Sequence, residues 1–274
     1  MAEKISKRKP WVLVTNDDGV DSPALVPLLR ELSGLTEVRA VVPASECSWT
    51  SKIVSRFTPL EVGNVQIDGF EIWTLSGYPA DCTNIGIHNL FDTRPTLVVS
   101  GINIGTNAGL AYTLSSGTVG AAVEGMLCNV PSAAFSLQLK AEDYARWRRC
   151  RDLSSREDLW EGPAAVTREI AAELLAGGLP QGASLLSVNM PPDTTRQTPR
   201  CLTRVADTRY GAVFSRSTPA GRFEHKFSGL LPAAKDGHGD MAALERGEVA
   251  ITPIRFSLDV EPVEADRRRF ERNC

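Results

Sequence analysis

Alternation of short apolar runs with helix-like segments is the feature that most restricts how this chain can fold. The run "WVLVT" at 11–15 is followed by apolar positions at helical spacing over 22–33, and then by "EVRAVVPA" at 37–44. This order of strand, helix and strand predicts a parallel βαβ unit. Pro27 lies inside the predicted helix, where proline is tolerated only near an end.

The same alternation continues to about residue 195. Further strands are predicted at 71–75, 96–101, 131–137 and 183–192, and further helices at 78–91, 117–129 and 163–178. The polar segment 146–162 is predicted to be a loop or an exposed helix. We therefore expect residues 1–195 to form an α/β domain around a mostly parallel sheet.

The pattern changes after residue 195. Residues 196–274 are rich in Arg, Thr and Gly, and short β-like runs such as "CLTRVA" and "VAITPIRFSL" replace the alternation. We expect a β-rich C-terminal extension that packs on the α/β domain or on another subunit.

Composition argues against several classes of protein. The formal net charge of the 274 residues is −3, without the basic bias of a protein that binds nucleic acid or an anionic membrane. No apolar run approaches the roughly 18 residues of a membrane span, and the charged start "MAEKISKRKP" does not resemble a signal peptide. We expect a cytoplasmic protein with no nucleic acid or membrane partner.

The cysteines and histidines do not indicate a site of their own. The six cysteines are scattered without a CxxC pair, so we expect reduced thiols rather than disulfides or zinc ligands. The three histidines form no HxH or HExxH pair, which argues against a histidine-built metal site.

Oxygen-bearing side chains follow three of the predicted strands. They are Asn16, Asp17 and Asp18 in "VLVTNDDGV", then Ser45, Glu46 and Ser48, and finally Ser100, Asn103 and Asn107. Ligands of open α/β sheets bind beyond the carboxyl ends of the strands, and these donors suit Mg²⁺ or Mn²⁺. Two adjacent acids can face one ion only if the backbone turns, and Gly19 permits that turn.

A second candidate element is the stretch "SSGTVGAAVEG" at 115–125. It places Ser115, Ser116, Gly117 and Thr118 at a predicted helix start, where free backbone N–H groups favour a phosphate. Each feature taken alone has a purely structural alternative. The stretch by itself favours a capped helix, the two acids can be a turn with a helix N-cap, and "GINIGTNAG" can be a glycine-rich turn. No P-loop or GxGxxG fingerprint is present.

Several motifs, taken in order, resemble one known family. They are "VLVTNDDGVDSP", "VVPASECSWTS", "GYPADC", "VVSGINIGTNAG", "SSGTVGAAVEGMLCNVPSAAFS", "VNMPP" and "VAITPI". This series resembles the SurE family, the survival-protein 5′/3′-nucleotidases, from about residue 11 to 256 and most densely up to residue 137. The resemblance implies a Rossmann-like α/β core with helices on both faces of the sheet, and a C-terminal part at 196–274 that makes homo-oligomer contacts in a dimer or tetramer.

The resemblance also implies an activity and a site. The activity is metal-dependent hydrolysis of nucleoside 5′- and 3′-monophosphates to nucleoside and phosphate. One Mg²⁺ or Mn²⁺ ion would be held by Asp17, Asp18, Ser48 and Asn103, of which Asp17, Asp18 and Asn103 would carry catalysis. The phosphate contacts would be Asn107, Ser116, Gly117 and Thr118, with Ser115 close by, and Asn16 would help to hold the acids in place.

The chain departs from the family pattern at a few positions near these residues. Ile104 stands where His or Arg is usual, Lys52 where His is usual, Trp49 where small residues are common, and Tyr78 where Thr is usual; the segment 146–162 resembles an insertion. These departures bear on substrate range and rate, because they change polar groups beside the expected site.

The sequence-based hypothesis is therefore metal-assisted hydrolysis of a phosphate monoester. One of the two aspartates is a candidate acceptor for the proton of the attacking water, and Asp17 is the one we choose. The alternatives are a nucleotide- or metal-binding homologue with weak or lost catalysis, and a phosphatase with a non-nucleotide substrate. A haloacid-dehalogenase-type phosphatase needs a DxD motif, and here the two acids are adjacent. The sequence does not decide which nucleotide or which metal is preferred. It also leaves open whether 5′ or 3′ esters are favoured and whether polyphosphate is cleaved.

Overall fold

The computed structural model describes residues 10–218, 221–227, 229–231 and 237–272, so the predictions made for residues 1–9 and for Cys274 fall outside the described residues. Strands β1–β7 are Trp11–Thr15, Glu37–Pro43, Val62–Ile67, Phe70–Leu75, Leu97–Ile104, Ser132–Leu137 and Leu185–Met190. Strands β8–β13 are Arg200–Leu202, Arg209–Tyr210, Phe214–Ser217, Arg222–His225, Leu230–Leu231 and Val249–Ile254. Helices α1–α8 are Leu25–Ser33, Pro79–His88, Leu110–Ser115, Gly117–Leu127, Ala141–Cys150, Glu161–Gly177, Asp240–Glu245 and Glu264–Phe270, with a 3₁₀ helix at Ser154–Trp160.

Nine of the strands form one sheet in the order β3-β4-β2-β1-β5-β6-β7-β13-β8. The six strands from β4 to β7 are parallel to one another, whereas β3 is antiparallel to β4 and β13 is antiparallel to β7. From β1 the chain first builds outward through β2 and β4, and then returns to the other side of β1 to add β5, β6 and β7. The order of strands therefore reverses between β1 and β5, the place where open α/β sheets bind ligands.

Helices cover both faces of this sheet, as the resemblance implies. Side chains of β1 alternate: Val12 and Val14 belong to the cluster that includes Leu28 of α1 and Ile170 of α6. Leu13 points to the opposite face, where α2 comes so close that a Cβ on Gly86 would lie 2.9 Å from a Leu13 methyl group. Burial of each large aliphatic side chain contributes about 1.5–3 kcal/mol, so the two layers hold the sheet firmly.

Most predicted elements of the first 195 residues are present with shifted ends. Pro27 lies in the first turn of α1, where its backbone nitrogen would have no helical partner in any case. The prediction for 146–162 is wrong in part, because α5 starts at Ala141 and buries Trp147 against the main core. Strand β3 and helix α3 were not predicted.

The segment after residue 195 contributes to the same sheet. Strands β13 and β8 extend the sheet beyond β7, while β10–β11 and β9–β12 form two small antiparallel pairs. The segment also contains α7 and α8, which the β-rich expectation did not include. A division at residue 195 stays a prediction. No helix within the described ranges is long and apolar enough to cross a bilayer.

Candidate active site

The turn after β1 has the form that two adjacent acids require. Gly19 has a φ of +88°, and a Cβ at that position would lie 3.1 Å from the carbonyl carbon of Ser45. The Asn16 side chain closes the turn, since its Oδ1 accepts a bond from the Gly19 amide at 3.0 Å and its Nδ2 donates to the Gly19 carbonyl at 2.9 Å. Asn16 is buried and holds the turn that carries the acids.

Asp17 and Asp18 are both buried, and each is bonded to a different neighbour. Asp17 Oδ1 accepts a hydrogen bond from Thr118 Oγ1 at 2.7 Å. Asp18 Oδ2 accepts one from the backbone amide of Ile104 at 3.0 Å, which ties the end of β1 to the end of β5. The two carboxylates therefore lie at the point where the strand order reverses.

The environment of the two acids opposes their charge. Burial raises the pKa of Asp17, and the hydrogen bond from Thr118 only partly offsets this. Burial also raises the pKa of Asp18, and the charge of Asp17 raises it further, while the Ile104 amide and then Arg151 and Arg148 lower it. A cation between the carboxylates would remove this cost, because it favours the ionised form of both.

The side chains predicted to bind a metal have oxygen atoms left for it. Asn103 Nδ2 donates to the Gly105 carbonyl at 2.8 Å, so its Oδ1 is free to face an ion. Ser48 is exposed, and its hydroxyl donates to Glu46 Oε1 at 2.5 Å, so the lone pairs of its oxygen stay available. Asp17 accepts its hydrogen bond through Oδ1, and Asp18 accepts its bond through Oδ2. This all-oxygen set fits a hard divalent cation.

No group of three or more His, Cys, Asp or Glu side chains is placed to hold a metal in the part of the chain that the structure describes. The predicted set has two carboxylates and takes its other oxygens from Ser48 and Asn103. Asp17, Ser48 and Asn103 line one cleft, whereas Asp18 is not among the residues that line it.

The predicted helix start at Ser116 is present. Ser116 is the N-cap of α4, and its Oγ accepts a bond from the Val119 amide at 3.1 Å. A Cβ on Gly117 would lie 3.0 Å from the Cβ of Asp17, so the helix start packs directly on the acids. Thr118 is fully buried and donates to Asp17, which makes it a support for that carboxylate.

Asn107 and Ser115 also line the cleft, and both are held by other parts of the chain. The backbone N–H of Asn107 donates to Asn189 Oδ1 at 2.8 Å, and the side-chain Nδ2 of Asn107 donates to Ser136 Oγ at 2.8 Å. Ser115 Oγ donates to the Ala111 carbonyl at 3.0 Å and contacts the Tyr210 hydroxyl. Their contacts with a phosphate stay predictions.

The cleft has a volume of about 640 Å³ and an aromatic side. Trp49, Tyr112, His225 and Phe227 line it, and Tyr210 packs against Trp49, Tyr112 and Phe227; we call these five residues the aromatic wall. Ring centroids lie 5.0 Å apart for Trp49–His225, 5.2 Å for Trp49–Tyr210 and 5.3 Å for Trp49–Phe227. The cleft is thus lined both by polar and acidic side chains and by aromatic rings.

The departures from the family pattern have distinct places. The Ile104 side chain is buried, and the residue serves the site through its backbone amide. Lys52 Nζ lies 2.6 Å from Glu124 Oε2 in α4 and does not line the cleft. Tyr78 precedes α2, and its amide donates to Asp81 Oδ2 at 3.0 Å.

Sequence reasoning missed two kinds of residue at this site. The aromatic wall joins Trp49 to residues of the C-terminal extension, and no local pattern connects them. Asp240 is buried and accepts bonds from the Gly109 amide at 2.9 Å and the Ala206 amide at 3.0 Å, which fixes the loop after β5. An acid at the first position of a short helix was the one available signal for Asp240.

The five described cysteines, Cys47, Cys82, Cys128, Cys150 and Cys201, are free thiols. Cys47 lies beside the acids, and its amide donates to the Asp17 carbonyl at 2.7 Å. Burial, together with the charges of Asp17 and Asp81, raises the pKa of Cys47 to about 11. The thiol is therefore protonated near neutral pH and is not an activated nucleophile.

Fold and cleft together define a Rossmann-like α/β protein with a cluster of oxygen-bearing side chains at the reversal point of its sheet. The family model described as survival protein SurE matches residues 12–212. A protein named 5′-nucleotidase SurE from Methanocella arvoryzae is 33% identical over 93% of this chain and 96% of its own length, and one from Methanoculleus marisnigri is 35% identical over 90% and 91%. The crystal structure of SurE from Aquifex aeolicus superposes with a TM-score of 0.72 at 27% identity, covering 95% of this chain and 97% of that one. The chain belongs to the SurE family.

Proposed function

We propose that this protein hydrolyses nucleoside 5′-monophosphates, and also 3′-monophosphates, to nucleoside and phosphate with the help of one divalent cation. The observation that carries the proposal is that Asp17, Asn103 and Ser116 line the same cleft as the aromatic wall. The relatives named 5′-nucleotidase SurE support the same substrate class.

The ester phosphate would react beside the two aspartates. Asp17, Asp18, Ser48 and Asn103 would hold one Mg²⁺ or Mn²⁺ ion, which supplies charge stabilisation for the phosphate and a more acidic bound water. Thr118 and the Ile104 amide keep the two carboxylates in place. The start of α4 at Ser116 offers backbone N–H groups and the positive end of a helix dipole for orienting the phosphate.

The aromatic wall favours a nucleotide as the substrate over an aliphatic phosphate ester. Stacking of a base on an aromatic side chain contributes about 1–3 kcal/mol, and this holds for every base because each has a flat π-face. Such a wall binds the leaving nucleoside without choosing one base.

Further proposals concern assembly and location. Large apolar side chains of the C-terminal extension are exposed, including Leu202, Phe214 and Phe223, which supports a homo-oligomer, a dimer or tetramer. Light scattering on the purified protein tests this.

A cytoplasmic location is proposed from the scattered cysteines, which suit a reducing compartment.

The decisive experiment is phosphate release over a panel of 5′- and 3′-nucleotides, p-nitrophenyl phosphate and glycerol 2-phosphate, with Mg²⁺, with Mn²⁺ and with a chelator. We expect release from nucleotides with either metal and none with the chelator. Nucleotide binding in calorimetry with no release from any ester would favour a non-catalytic homologue instead. Preference for glycerol 2-phosphate over every nucleotide would favour a phosphatase with a different substrate.

A further inference from the structure

Helix α5 forms one side of the cleft. Trp147 is buried in the main core and anchors the helix, while Tyr144 and Arg148, one turn apart, line the cleft. Tyr144 lies over the loop after β5, because its Cε2 is 3.9 Å from where a Cβ on Gly105 would be. Helix α5, which lies outside the family motifs, thus contributes two side chains to the cleft.

Arg148 is the only arginine or lysine among the described residues that line the cleft. Its Nη1 lies 2.9 Å from Glu46 Oε1, the same oxygen that accepts the bond from the Ser48 hydroxyl at 2.5 Å. Arg151 also pairs with Glu46. Glu46 therefore holds the guanidinium of Arg148 next to a predicted metal ligand.

The charges at this end of the cleft call for a cation besides the metal. Arg151 offsets the charge of Glu46. Asp17, Asp18 and the close to two negative charges of a phosphate monoester then stand against the two positive charges of one divalent ion. The hydroxyls and amides near Ser116 are neutral donors. The residue after Asn103 is Ile104, which supplies no cation.

We propose that Arg148 binds the phosphate group of the substrate, and that Glu46 positions its guanidinium for this contact. A guanidinium presents two parallel N–H donors to a phosphate, which gives both strength and orientation. Arg148 is half exposed and keeps donors free beside its pair with Glu46. The proposal rests on the proposed function of this site and adds a residue that the family motifs do not contain.

The test compares Arg148→Ala with Arg149→Ala, which removes the same charge from the next residue of the same helix. Arg149 is exposed and does not line the cleft. We expect Arg148→Ala to raise KM for 5′-AMP and the inhibition constant of inorganic phosphate about 10- to 100-fold, the usual effect of losing a hydrogen bond to a charged group. Arg148→Lys should recover part of the loss, and Arg149→Ala should match the wild type.

Mn²⁺ binding without phosphate, measured by calorimetry, separates phosphate contact from an effect through Ser48. We expect Arg148→Ala to leave this affinity within about threefold of the wild type. Equal KM values for the Arg148→Ala and Arg149→Ala variants, or a loss of Mn²⁺ affinity as large as the loss of phosphate affinity, would overturn the proposal. If the wild type releases no phosphate from any ester, the proposed function fails, and calorimetric binding of inorganic phosphate by the same variants still decides the role of Arg148.

Discussion

Thr118 Oγ1 donates a hydrogen bond to Asp17 Oδ1 at 2.7 Å, although the two residues are 101 positions apart in the chain. This bond joins the first turn of α4 to the end of β1. It connects the two motifs that define the site, and it gives Thr118 a role in holding an acid.

Thr118→Val removes the donor and keeps the shape of the side chain. We expect a loss of about 1–3 kcal/mol in the free energy of unfolding, because a buried carboxylate oxygen loses its partner. We also expect about 10- to 100-fold weaker Mn²⁺ binding, the usual cost of losing a group that orients a metal ligand. Urea unfolding and calorimetry measure the two effects. Thr118→Ser keeps the hydroxyl and serves as control; a Thr118→Val variant with normal Mn²⁺ affinity would contradict the expectation.

Asp18→Asn tests the assignment of the metal site. The substitution removes a charge whose burial is unfavourable, so we expect the metal-free protein to be at least as stable as the wild type in thermal unfolding. Phosphate release from 5′-AMP and p-nitrophenyl phosphate should fall by a factor on the order of 100 or more, since a metal ligand is weakened. Asp21→Asn, an exposed neighbour, is the matched control. Near-normal rates in Asp18→Asn would show that the site assignment is wrong.

The pair of Lys52 and Glu124 predicts how stability depends on pH. Burial alone raises the pKa of Glu124, but the hydrogen bonds from Lys52 and Asn84 outweigh it, so the pKa is lowered overall. Because this pKa is lowered, the ion pair stabilises the folded protein at pH values above the ordinary pKa of Glu. The stabilisation is lost as pH falls through the pKa of Glu124 in the folded state.

We therefore expect Lys52→Met to lower the free energy of unfolding by about 1–3 kcal/mol at pH 7, because Glu124 is left buried without its cation. The difference from the wild type should narrow below about pH 4, where the unfolded-state carboxyl is protonated. Urea unfolding at both pH values measures this. Arg30→Met, which breaks an exposed pair with Asp68, should cost less than about 1 kcal/mol at either pH. A deficit in Lys52→Met that is constant with pH would rule out the ion pair as its cause.

Trp49→Ala tests the aromatic wall. Loss of one stacking ring should raise KM for 5′-AMP by about 5- to 100-fold, because the base of the nucleotide loses a stacking partner. KM for glycerol 2-phosphate, which has no base, should not change. Steady-state kinetics on both substrates measure this split. Phe57→Ala, at an aromatic residue that is 88% exposed and does not line the cleft, is the control. An equal loss on both substrates would mean that Trp49 acts by positioning Ser48 instead.

Sequence patterns predicted those parts of the fold whose signals are local. The buried runs of β1, β2, β5, β6 and β7 and the intervening helices follow from apolar periodicity, and the turn at Gly19 follows from its place after two acids. Strand β3 gave no such signal, because "VGNVQI" is mostly exposed and owes its conformation to pairing with β4. Helix α5 was misjudged since a largely polar surface concealed the anchoring role of Trp147.

By itself, the sequence determined the alternating α/β order, the acids at the end of β1 and the helix start at Ser116, because each depends on residues close together in the chain. Only the tertiary structure decided which groups meet: Thr118 with Asp17, the Ile104 amide with Asp18, and Arg148 with Glu46. The same holds for the aromatic wall, which joins Trp49 to the C-terminal extension. Those contacts arise from sheet order and helix packing across long separations, and local periodicity carries no information about them.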